Sequence, residues 1–217
     1  MTGPFMAGRG LLVMVPGAYF GPEDFAAHGF LAVLERHDCK LDAVVANLPT
    51  DAYLAGTAAP WLRANIVAPA LARGYGRLWL LGISLGGTGA LLYAQEYKAA
   101  VEGMILLAPF LGTRGLVAEV EAAGGMASWE PGAIGPRDIE RRMMARLKLA
   151  VPPRLHLGYG AADRYAPASR LLAARLPAER VVVIAGGHDW PTWERLWDAI
   201  LDTRPFDPAQ QRVQDAP

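Results

Sequence analysis

The 217-residue chain contains a single cysteine, Cys39, so no disulfide can close within it, and neither C-x-x-C redox chemistry nor a multi-cysteine zinc site is open to it. A reducing compartment is the natural expectation. Excess charge is missing as well: 21 Lys and Arg balance 21 Asp and Glu, which removes any global pull toward nucleic acid or anionic lipid. Long apolar runs are also absent. The stretch 11–15 is far too short to span a bilayer, and the N-terminus shows no basic segment followed by an apolar stretch and a small-residue cleavage site. These absences predict a cytoplasmic protein with no membrane span and no nucleic-acid partner, acting on a small molecule. H-E-x-x-H and other local ligand patterns are lacking, as is G-x-x-x-x-G-K-[ST], and no acidic residue ends the next strand where a dinucleotide ribose would need it. No metal and no cofactor are expected.

What the chain does have is hydrophobic residues, at 53% of positions, enough for one domain over 1–217 with a substantial core. Short aliphatic runs recur at 11–15, 41–46, 78–83, 103–108, 155–159 and 181–185. Strands covered on both faces need not alternate polar with apolar residues, so these runs predict buried parallel strands. Helical spacing fills the intervals 22–36, 58–73, 85–97, 167–176 and 191–201. The expected fold class is α/β: a doubly wound, mainly parallel sheet of about six strands with helices on both faces. The interval 111–153 is longer than a crossover requires and carries two helical patterns, 116–123 and 136–149, the second with Ile139, Met143 and Leu147 on one face. It is expected to be a small lid insertion or a decorated crossover. Its basic residues Arg137, Arg141, Arg142, Arg146 and Lys148 are expected on the solvated face of the second helix. The polar, proline-punctuated tail after Asp202 is expected to be loosely ordered.

One of only three serines sits in "WLLGISLGGTGALLYA", between the third aliphatic run and a helical pattern. A nucleophilic serine raised above a sheet needs a sharp strand-to-helix turn with positive φ at its own position, and small residues two before and two after it. Gly82 and Gly86 supply them. Gly87, Gly89 and Ala90 let the following helix lie close to the sheet, directing its free amides at developing negative charge.

On Gly82-Ile83-Ser84-Leu85-Gly86 and on a strand-helix alternation that covers nearly the whole chain, the sequence resembles the α/β-hydrolase family. That resemblance implies a triad in the order Ser, then Asp or Glu, then His, with the acid after a late strand and the histidine after the last. His28 and His37 precede Ser84, and His156 lies within an aliphatic run. His188 follows the last run, in "VVVIAGGHDWPTW", which is similar to the histidine loop of bacterial esterases of this family. For the acid, Asp163 leaves the fifth run in "GYGAAD". Asp138 lies in the insertion, Glu102 stands at the wrong end of a strand, and Asp189 adjoins His188 with poor geometry toward its ring. The family's second oxyanion amide comes from the loop after the first strand, here Pro16-Gly17 where His-Gly is frequent. Ala18 is the expected donor beside Leu85, with Tyr19 the alternative. Tyr19, Phe20 and Trp190 are candidates for the substrate wall, with ordinary core packing the alternative for Tyr19 and Phe20, while packing of the histidine loop is the favoured role of Trp190 and Trp193.

The resemblance implies hydrolysis of a carboxylic ester of a small or medium acyl substrate through Ser84, His188 and Asp163 and an acyl-enzyme. Thioesterase, amidase or acyltransferase chemistry on the same triad, and a non-catalytic ligand-binding homologue, are the alternatives.

Overall fold

The computed structural model describes residues 10–207. Six strands, β1 (Gly10–Val15), β2 (Leu41–Val45), β3 (Arg77–Ile83), β4 (Gly103–Leu107), β5 (Leu155–Gly160) and β6 (Val181–Ile184), form one sheet in the order β2-β1-β3-β4-β5-β6. Every neighbouring pair is parallel. The six aliphatic runs are these strands, with no end displaced by more than one residue.

Successive side chains of a strand point to opposite faces, and both faces here are apolar. Leu11, Val13 and Val15 of β1 and Leu78 and Leu80 of β3 join one core, and Leu12, Met14, Trp79, Leu81 and Ile83 join the other. The second core is closed by α1 (Pro22–Ala27), α2 (Phe30–Arg36) and α10 (Trp190–Asp202), which bury Phe25, Phe30, Trp193 and Trp197. The first is closed by α3 (Thr50–Leu54), α4 (Ala58–Leu62), a wider helical turn (Arg63–Val67), α5 (Ala68–Ala72), α6 (Leu85–Glu96), α7 (Arg114–Ala122), α8 (Ile139–Leu149) and α9 (Ala166–Ala173).

The structure modifies the expected helices and tail. The helix expected over 22–36 is two helices, because Gly29 takes φ +70° between them and turns the chain. Helix α3 was not expected. The tail is not loose throughout: Phe206 is buried against Trp79, with ring centroids 4.9 Å apart, and its carbonyl accepts from an Arg77 guanidinium nitrogen. The rest of that tail, 208–217, lies outside the described residues.

The insertion holds α7 and α8. The latter begins at Ile139 rather than 136 because Asp138 caps it, accepting from the Arg141 N–H at 3.3 Å. Met143 and Leu147 are buried and Ile139 half-buried. Arg141 bonds both oxygens of Glu119, at 2.6 and 2.7 Å, and this holds the Glu119 carboxyl down to about 2.

The chain leaves β1 toward one edge of the sheet and returns to place β3 on the other side of β1. The loops after β1 and β3 therefore diverge at their carboxyl ends and open a crevice between them.

Candidate active site

The turn from β3 into α6 puts Ser84 over that crevice with φ +52° and ψ −119°. A residue with a β-carbon held there carries strain of about 1–3 kcal/mol, which persists only if its surroundings enforce it. They do: the Ser84 N–H donates to the Leu107 carbonyl at 3.0 Å, and the Ser84 carbonyl accepts from Gly87 and Phe110 at 3.0 and 2.9 Å. A β-carbon on Gly82 would lie 2.6 Å from the Gly86 oxygen and the Gly87 Cα, as a tight turn requires. One on Gly86 would meet β1 instead, 2.0 Å from the Val15 carbonyl oxygen. Glycine at this second position thus seats the helix against the neighbouring strand.

The loop between β6 and α10 brings His188 back over the sheet. Gly186, at φ +153°, leaves no room for a β-carbon, which would sit 2.3 Å from Thr192 Oγ1. Asp189 caps α10 by accepting from the Thr192 N–H at 3.0 Å, and its bonds from Thr192 hold its carboxyl below the usual carboxylate range. Its carboxylate is thereby committed to the helix. The His188 ring is braced edge-on between Tyr165 and Trp193, at centroid distances of 4.8 and 5.0 Å.

His188 Nε2 lies 2.9 Å from Ser84 Oγ, and its Nδ1 lies 2.8 Å from Asp163 Oδ2. The Asp163 side chain is fully buried, and its other oxygen accepts from the Tyr165 N–H at 2.7 Å. An ionised carboxylate only accepts, so the ring proton belongs on Nδ1, and Nε2 is left to accept from the Ser84 hydroxyl. The other histidines lie elsewhere: His28 meets Glu194 at 2.6 Å, His37 meets Asp198 at 2.7 Å, and His156 sits in β5, where burial lowers its pKa to about 4.

Two backbone amides beside Ser84, those of Ala18 and Leu85, have no acceptor among the described residues. The Tyr19 amide does, donating to Thr50 Oγ1 at 3.2 Å. The loop carrying Ala18 is anchored by Tyr53, whose hydroxyl donates to the Pro16 carbonyl at 2.6 Å. A β-carbon on Gly89 would come within 2.7 Å of the Tyr53 ring, so glycine in α6 is what lets that side chain reach the loop.

A cleft of about 510 Å³ opens at Ser84. Ala18, Tyr53, Leu85, Thr88, Phe110 and Tyr165 line it together with Arg164 and, from the insertion, Arg137, Asp138, Ile139 and Glu140. The three wall candidates are not among these lining residues. Tyr19 is 90% exposed. Phe20 packs 5.1 and 5.6 Å from Trp190 and Trp193, and Trp190 stacks on His28 at 4.2 Å, so both are held in the aromatic layer under the histidine loop. Tyr53, Phe110 and Arg164 were not singled out from sequence, and Arg137, expected on the solvated face of the second insertion helix, precedes that helix and lines the cleft; the one available signal for Tyr53 was Pro49-Thr50-Asp51, a helix start that would have brought α3 to this loop.

Among the described residues no three His, Cys, Asp or Glu side chains gather to hold a metal ion, and no helix is long and apolar enough to cross a membrane. A second cavity of about 510 Å³, lined by His37, Cys39, Arg77 and Phe206 among others, lies at the amino ends of the strands, away from Ser84.

Residues 64–137 match a family model described as serine aminopeptidase, S33. Among solved structures, the chain is similar to the fluorophosphonate-binding serine hydrolase F of Staphylococcus aureus, with 13% identity, a TM-score of 0.67, and 94% of this chain and 86% of that one covered. S-formylglutathione hydrolase of the same organism gives 13% identity and a TM-score of 0.66 over 92% and 85% of the two chains. A monoacylglycerol lipase of Paleococcus ferrophilus gives 15%, a TM-score of 0.58, and 91% and 97% coverage. At such identities the likeness is one of fold. Among curated proteins, NAD kinase 1 of Gloeobacter violaceus is 37% identical over 75 residues, which are 35% of this chain. The match covers about a quarter (24%) of that protein's length.

Proposed function

Since the chain has the α/β-hydrolase fold, we propose that it is a serine hydrolase that cleaves a carboxylic ester of a small or medium acyl substrate. The observation that carries this reading is the unbroken relay from Asp163 Oδ2 through the His188 ring to Ser84 Oγ, with contacts of 2.8 and 2.9 Å, at the strained turn. Ser84 Oγ attacks the ester carbonyl while His188 Nε2 takes its proton, and Asp163 orients the ring and stabilises its cation. The Ala18 and Leu85 amides receive the developing oxyanion, a contribution of about 3 kcal/mol per donor in comparable sites. His188 returns the proton to the departing alcohol oxygen. Water then attacks the acyl-enzyme, giving its proton to His188 and, through it, back to Ser84, so that acid and alcohol are the products.

The insertion caps the cleft in this reading, and the Arg137–Glu140 wall decides what enters beside Ser84. Support comes from its position in the lining of the same cleft.

The test is hydrolysis of p-nitrophenyl esters from acetate to a long acyl chain by the wild-type chain and by Ser84→Ala, with matched thioesters and amides alongside. Turnover of oxygen esters, lost in the variant while its circular dichroism is unchanged, is the expected result. A Ser84→Ala chain at full rate, or a wild type that cleaves none of the series, overturns it.

A further inference from the structure

The basic cluster expected on one wet face of α8 is divided by the structure into two groups. Arg141 pairs with both oxygens of Glu119 and reaches Asp138 Oδ2 at 3.2 Å. Lys148 is spoken for by Glu130 and by the Trp129 carbonyl, each at 2.6 Å. These two tie the insertion together. Arg137, Arg142 and Arg146 have no carboxylate partner among the described residues; Arg142 donates only to the Pro136 carbonyl, at 3.1 Å.

Those three unanswered guanidinium groups line one groove of about 670 Å³ between α8 and α6. Arg142 and Arg146 stand four apart on the helix, a spacing at which like charges repel. Asp138, four residues before Arg142 and able to relieve that repulsion, is turned to Arg141 instead. Glu96 is the one acid lining the groove.

The groove adjoins the Ser84 cleft, since Arg137 and Ile139 line both. A fourth arginine, Arg164, lines the cleft with its guanidinium 5.0 Å over the Tyr165 ring and no carboxylate partner among the described residues. The two acids in the cleft wall are already engaged: Asp138 with Arg141, and Glu140 with the Thr113 N–H at 3.1 Å.

We propose that this arginine-lined groove binds an anionic end of the substrate. The substrate class is then an ester that carries a carboxylate or phosphate group remote from the scissile bond, on its acyl or its alcohol part. Guanidinium groups suit either anion because their planar donors match two oxygens at once, and they are weakly hydrated for cations. The inference rests on the serine-hydrolase reading and adds the charge of the substrate to it.

The experiment compares kcat/KM for esters differing only in a terminal methyl, carboxylate or phosphate group, in one series on the acyl chain and in another on the alcohol, followed by proton release. The expected result is a preference of about fivefold for an anionic member at low ionic strength, as for exposed ion pairs. The preference should disappear in about 1 M salt, where the screening length falls to about 3 Å. It should shrink severalfold in an Arg142→Gln, Arg146→Gln double variant, and survive in Lys40→Gln, which removes one positive charge at the far end of the sheet. The series with the larger preference locates the anion, and the better of the two charged groups identifies it. Labelling by an uncharged fluorophosphonate is run in parallel. If Ser84 labels and every anionic ratio is one or less, the groove inference fails and the hydrolase reading stands. If Ser84 does not label, the hydrolase reading fails first, and this inference with it.

Discussion

The Tyr53 hydroxyl donates to the Pro16 carbonyl at 2.6 Å across 37 residues of chain, tying α3 to the loop that carries the Ala18 amide. Tyr53 is buried, and burial pushes its phenol above the usual range, so it acts as a neutral donor. Its partner is the carbonyl of Pro16, two residues before the proposed oxyanion donor Ala18. The bond therefore links packing on one face of the sheet to the precision of the site.

Tyr53→Phe keeps the ring and removes that bond. Loss of about 1 kcal/mol of stability is expected from an unpaired buried carbonyl. The loosened loop should lower kcat by about tenfold with little change in KM, since a misplaced amide weakens the transition state more than the ground state. Urea unfolding and steady-state rates check the two parts separately.

Ser84 separates catalysis from strain. Ser84→Ala and Ser84→Gly both remove the nucleophile and should lower turnover by about 10⁴-fold or more. Alanine retains a β-carbon at φ +52°, whereas glycine adopts that conformation freely. Ser84→Gly should therefore be the more stable of the two by about 1 kcal/mol, seen as a rise of about 2–4 °C in Tm.

Asp163→Asn preserves shape and changes charge. The Asn amide can face the ring with its NH₂ group, which favours the tautomer with Nδ1 unprotonated and leaves Nε2 unable to accept from Ser84. A fall in kcat of about 10³–10⁴-fold is expected, with the fold intact by circular dichroism. A variant within tenfold of wild type would remove Asp163 from the relay.

His156 predicts a pH dependence remote from the chemistry. Its folded pKa, near 4, lies below the ordinary value of 6.5, because burial in β5 disfavours its charged form. As pH falls below 6.5 the unfolded chain binds a proton that the folded chain refuses until about 4. The contribution is present above pH 6.5 and is lost through that window, by roughly 2 kcal/mol at pH 5. Urea midpoints at pH 7 and pH 5 should converge in His156→Leu relative to wild type.

Strands β1, β3 and β4 were legible because they are buried on both faces and read as apolar runs, and the edge strands β2 and β6, though only partly covered, because most of their residues are aliphatic; the turn at Ser84 was legible because Gly82 is required by backbone contacts within the turn itself. Phe20 and Trp190 were open to two readings because a loop aromatic can face the cleft or the core, and only the tertiary path of the histidine loop decides. Helix α3 spans five residues, little more than one turn, and offers no repeating pattern to detect, so Thr50 and Tyr53 went unnoticed although one bonds the Tyr19 amide and the other holds Pro16. Pairing of the α8 basic residues was equally invisible. Glu119 and Glu130, which answer Arg141 and Lys148, lie 22 and 18 residues away along the chain.

The account turns on whether Ser84 is an activated nucleophile. The most direct measurement is labelling of the wild-type chain with a fluorophosphonate, with the modified residue located by peptide mass spectrometry and the His188→Ala chain treated in parallel. We predict stoichiometric modification of Ser84, with Ser128 and Ser169 untouched and labelling in the His188 variant slowed by orders of magnitude. An unlabelled Ser84, or one that labels as fast without His188, would contradict the account.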